Sequence, residues 1–68
     1  MKKEGRRNLK KGTVLMSPDG IIKITSDFDE FHNYYEYIEM MVNDSDELVE
    51  TKNDGVVTLT DLTNYEII

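Results

Sequence analysis

Cysteine, tryptophan, alanine and glutamine are all missing from this chain of 68 residues, and proline and histidine occur once each, as Pro18 and His32. Without cysteine there is no disulfide and no thiolate metal site to support a small fold. Long apolar runs are missing too: the longest are three residues, Val14 to Met16 and Met40 to Val42. A membrane-spanning helix needs about 20. The basic start MKKEGRRNLKK is not followed by the apolar stretch of roughly 7–15 residues that a secretory signal requires. These absences lead to the expectation of a soluble, cytoplasmic protein. A chain of this length makes one domain, which buries only ~60% of the surface its unfolded form exposes.

Catalytic chemistry is also thin. His32 stands between Phe31 and Asn33 with no identifiable nucleophile or second base. Ser17, Ser26 and Ser45 occupy turn or cap contexts, and the glycines at 5, 12, 20 and 55 are too scattered for a phosphate loop. Asp44-Ser45-Asp46-Glu47 fails the calcium-loop pattern, because Leu48 and Val49 fall where an acidic or amide ligand and a glycine are needed. The expectation is a protein that is not an enzyme and uses no metal, cofactor or small-molecule substrate.

Charge is present, and it is unevenly placed. Residues 1–11 carry six basic residues against Glu4 alone, a net +5, whereas residues 12–68 carry Lys23 and Lys52 against thirteen acids, a net −11. We therefore divide the chain into a basic, mobile arm (1–11) and a single acidic β domain (12–68). Such a body repels nucleic acid and attracts basic proteins.

Turn signals recur at short intervals. Ser17-Pro18-Asp19-Gly20 separates TVLM from IIKIT as a hairpin turn, and Asn53-Asp54-Gly55 separates ELVETK from VVTLT as a second one. Asn43 to Asp46 punctuates the chain between them. Residues 27–42 are ambiguous. Phe28, Phe31, Tyr35, Ile38 and Val42 recur at helical spacing, and Ser26 is placed to cap. Yet this stretch has no Ala, Leu, Lys, Arg or Gln; aromatic, β-branched and Met residues fill it, and its five acids have no cation at i+4. We predict strands over IIKITSDF and YYEYIEMMV with a loop at Asp29 to Asn33, the alternative being an α+β fold (ββαββ) with a helix over 27–42.

The tail TLTDLTNYEII reads as a strand, a short turn of helix and a final strand. It resembles the closing segment of small SH3-like barrels, which implies a mainly β fold, an antiparallel barrel of about five strands. The resemblance brings no active site, and with one proline and no tryptophan it does not extend to binding proline-rich peptides.

The stretch DFDEFHNYYEYI weaves four acids among six large apolar side chains. Acids on a small domain are mostly solvated, and Tyr, Phe and Ile in strands are mostly core; on that view Tyr34, Ile38 and Val42 pack inward and Tyr35 and Tyr37 lie half exposed. The charge of the body exceeds what solubility needs, a net magnitude of about 2–8. In size, lack of cysteine, acidic body and acid–aromatic run, the chain resembles the phage-encoded DNA-mimic inhibitors that bind host DNA-handling proteins such as uracil-DNA glycosylase or a histone-like nucleoid protein. That resemblance implies a basic, DNA-binding host protein as partner, and a homodimer is compatible with it. Asp27, Asp29, Glu30, Glu36 and Glu39 would replace phosphates, Asp44, Asp46 and Glu47 would extend the patch, and Tyr35 and Tyr37 would anchor the contact. Two other classes stay open: a nucleic-acid-binding module using the basic arm, and an assembly protein pairing through a sheet edge.

Overall fold

The computed structural model describes residues 8–68. Five strands, β1 (Val14–Ser17), β2 (Gly20–Ile24), β3 (Tyr34–Val42), β4 (Leu48–Thr58) and β5 (Glu66–Ile67), form one antiparallel sheet in the order β4-β3-β2-β1-β5. A single helical turn, α1 (Leu59–Leu62), joins β4 to β5 at opposite edges of the sheet. The mainly β expectation holds. The sheet curls around one core, because Val57 of β4, Leu15 of β1 and Leu62 of α1 belong to the same buried cluster, with Ile22, Ile24 and Tyr35.

Local chemistry explains most of the connections. At the β1–β2 turn, the Ser17 hydroxyl accepts the Asp19 N–H at 3.1 Å, and Gly20 supplies the φ of 154° that a residue with a Cβ resists. Between β3 and β4 the turn is made by Asn43, whose side-chain oxygen accepts the N–H groups of Ser45 and Glu47, each at 2.9 Å. Asp46 there takes the left-handed φ of 62°. Thr58 caps α1 reciprocally with Asp61, and Leu62 then drops into the core.

Three expectations need correction. Asn53-Asp54-Gly55 is not a turn: β4 runs through it, since Asn43 has already reversed the chain ten residues earlier. The register slips there instead, from Ile38 opposite Asp54 to Met40 opposite Glu50, so Glu39 faces a bulge at 51–53. Thr51 holds the bulge by donating to the Glu39 carbonyl and accepting the Asn53 N–H, both at 3.0 Å. Secondly, β2 ends at Ile24 rather than at Phe28, and no helix forms over 27–42. The helical stripe would leave Phe31, 87% exposed, without a core to face, whereas β3 alternates Tyr35 and Tyr37 inward. Thirdly, the body begins before Gly12. Leu9 packs against the core and its N–H donates to the Tyr35 hydroxyl at 3.0 Å, while Gly12 donates to the Ile24 carbonyl at 2.7 Å. Residues 8–11 thus belong to the fold, and the rest of the proposed arm lies outside the described residues.

Tyr35 gives the first prediction. Its ring meets Phe28 at 5.1 Å, and burial pushes its phenol above the ordinary value, with nearby Asp27 adding to that and the Leu9 hydrogen bond opposing it. The unfolded chain therefore ionises first, and stability falls as pH climbs past about 10. Tyr35→Phe should cost about 1 kcal/mol at neutral pH, measured by urea unfolding, and should flatten the alkaline loss. An unchanged alkaline slope would assign that loss to another group.

Candidate protein-binding surface

The acids expected to work together are divided by the sheet. Asp27, Asp29 and Glu30 lie in the β2–β3 loop, before β3 begins, and Asp44, Asp46 and Glu47 lie in the β3–β4 turn, after it ends. The nine residues of β3 separate the two groups by roughly 26 Å, well beyond a Debye length of about 8–10 Å. The turn acids therefore do not extend the loop patch. Glu36 pairs in register with exposed Val56, whereas Glu39 pairs with buried Ile22, so alternation sends their side chains to opposite faces.

Asp29 has a structural task that phosphate imitation would not require. One carboxylate oxygen accepts the N–H groups of Phe31 (2.9 Å) and His32 (3.1 Å), and the other lies 2.9 Å from the His32 ring nitrogen Nδ1. The His32 ring stacks on Tyr34 at 5.1 Å. These contacts shape a tight loop in which Asn33 takes a φ of 62° and Asp29 pairs with Tyr34. Asp27 and Asp29 do not line up along a strand, because β2 has already ended.

Tyr35 is no surface anchor. It has no exposed area and is among the largest fully buried side chains, a correction to its expected role. Ile38 is half-buried and Val42 is 50% exposed, so the inward set expected for this strand is shifted by one. Tyr37 is half-buried and remains accessible. Its side chain lies over Gly55, where an added Cβ would meet the hydroxyl at 3.0 Å, so glycine is needed here for space rather than for a turn.

Around Tyr37 the fold gathers residues that sequence inspection did not connect. Two adjoining hollows, of about 220 and 190 Å³, share Asp19, Tyr37 and Tyr65 in their walls. The first also has Asp61 and Asn64, and the second has Glu39 and Met40. A larger, open hollow of about 550 Å³ lies at Met16, Ser17, Pro18, Asn64 and Glu66. Burial, and then the charges of Glu39, Tyr65, Asp61 and Asp54, raise the Tyr37 phenol above its ordinary value. Asp19 and Asp61 drew attention only as a turn residue and a helix-turn residue, and nothing in their spacing ties them to Tyr37. Among the described residues no group of three or more His, Asp or Glu is arranged to hold a metal ion, and no helix is long and apolar enough to cross a membrane.

No protein-family model, no curated protein and no solved structure matches this chain.

Asp29 supplies a pH prediction. The His32 side-chain contact first, and then its backbone N–H, holds the carboxyl below the ordinary value of 3.8, with desolvation opposing. A depressed folded pKa means the stabilisation is present above the unfolded pKa and is lost as pH falls through the folded one. An NMR titration should find Asp29 protonating below the ordinary value of 3.8. Asp29→Asn should speed amide exchange over 30–34 at neutral pH; exchange unchanged from wild type would show that the loop does not depend on this carboxylate.

Proposed function

We propose that this chain is a non-enzymatic, acidic protein-binding domain that occupies the basic, DNA-binding surface of another protein and inhibits it, as phage-encoded DNA mimics do in a bacterial cytoplasm. The observation that carries the proposal is a large unpaired negative charge. Among the described residues Lys23 pairs with Glu50 and Asp29 contacts the His32 ring, and the other acids have no Lys or Arg within ion-pair distance. Their mutual repulsion weakens a small fold, and a basic partner would relieve it.

The geometry narrows how such binding would work. A continuous row of phosphate substitutes along one strand is not available, since Glu36 and Glu39 face apart and Asp29 is committed to its loop. The surface instead offers a central acidic groove at Tyr37 with separate charges at both ends of β3. A nucleic-acid-binding role would fall to the basic arm, whose first seven residues lie outside the described structure. An assembly role is favoured by one observation, the exposed Met41, Val42 and Leu48 beside the β3–β4 turn.

The proposal is tested by passing nuclease-treated bacterial lysate over the immobilised protein. One or two basic DNA-binding proteins should be retained, elute as salt rises, and be displaced by added duplex DNA. Removing residues 1–7 should leave that capture intact. Retention indifferent to salt and DNA would favour assembly, and direct binding of duplex DNA that is lost on removing residues 1–7 would favour the nucleic-acid role.

A further inference from the structure

The acids and tyrosines that line the hollows at Tyr37 come from four separate parts of the chain. Asp19 comes from the β1–β2 turn, Tyr37 and Glu39 from β3, Asp61 from α1, and Tyr65 from the segment ahead of β5. Strand order makes this meeting possible, because β5 returns to pair with β1 and carries Tyr65 back beside the first turn. Among the described residues no Lys or Arg lines either hollow. Lys23 is directed to the other face of the sheet, opposite Ile38, where it pairs with Glu50.

Size and chemistry decide what fits. At about 220 and 190 Å³, each hollow is below the ~300–1,000 Å³ of ordinary small-molecule sites, and each suits one long side chain. The walls offer two tyrosines, whose ring faces attract cations, and the carboxylates of Asp19 and Glu39, while the Asp61 carboxylate in the first hollow also accepts the Thr58 N–H of the α1 cap. An ammonium would use the charge but not the rings' planar faces. A guanidinium uses both, stacking on an aromatic ring while its fork of N–H donors meets carboxylate oxygens. The same carboxylate field that disfavours a phenolate at Tyr37 favours a cation beside it.

We propose that the hollow of about 190 Å³ at Tyr37 and Tyr65 is the docking site for an arginine side chain on a basic segment of the partner, with Asp19 and Glu39 as its counter-charges and Asp61 in the adjoining hollow adding to the field. This rests on the reading above that the partner is a basic protein, and it names the part of the acidic surface that recognises it. The remaining acids then act at longer range, speeding encounter more than holding the complex.

The test uses the full chain, a blocked hexa-arginine peptide and a hexa-lysine peptide of the same length, followed by NMR at low salt. The arginine peptide should shift the Tyr37 and Tyr65 ring resonances saturably and bind several-fold tighter than the lysine peptide. Asp19→Asn with Glu39→Gln should weaken it by roughly five- to tenfold. Asp44→Asn with Asp46→Asn removes the same charge at the far turn and should change affinity by less than about twofold. All four substitutions are at exposed positions and keep side-chain size. If both pairs weaken binding equally and shifts spread over every acid, the groove is not the site, while the basic-partner reading survives. If neither peptide binds, both fall.

Discussion

The Tyr35 side chain, near the start of β3 and one strand in from the β4 edge, has no exposed surface, lies opposite Val57 and against the tilted ring of Phe28, and its hydroxyl holds the Leu9 backbone at 3.0 Å. In a chain this short, no second core is available to compensate for losing that contact set. Seating Tyr35 inward sets the face of every other residue in β3, because strand side chains alternate. Tyr37 and Glu39 follow it toward the core side, whereas Glu36 and Ile38 go to the other face. The burial of one tyrosine thereby decides which acids can cooperate.

Charge then distributes according to that frame. The acids occupy the β2–β3 loop, the β3–β4 turn, both faces of β3 and the cap of α1, rather than one stripe. At physiological ionic strength, groups separated by the length of β3 scarcely feel one another. The fold brings Asp19 together with Asp61 in one hollow and with Glu39 in the other, both walled by Tyr37 and Tyr65. Half-buried aromatic walls lower the local dielectric there, so a charge contact is worth more than on the open rim.

Several elements were legible from sequence because their chemistry is local. Ser17-Pro18-Asp19-Gly20 makes its turn with its own side chains, and YYEYIEMMV becomes a strand over the residues its aromatic and β-branched composition indicated. The closing pattern of a short helical turn followed by a strand also appears, with Thr58 and Asp61 capping each other across three residues. Asn53-Asp54-Gly55 misled because two turn signals competed for one reversal, and Asn43 satisfied Ser45 and Glu47 with a single side-chain oxygen. The later signal was absorbed into β4, its glycine making room for Tyr37.

The first turn and the large negative charge of the body were legible from residue type and near neighbours, and composition favoured a strand over 34–42 and a mainly β fold while leaving the helical alternative open. Tertiary pairing settled that Tyr35 and Tyr37 face the core side while Glu36 and Ile38 face away, because alternation leaves the choice of face open until a partner strand is present. It also decided which acids meet. Asp19, Glu39 and the Asp61–Tyr65 segment are far apart in the chain, and they converge because β5 returns to pair with β1.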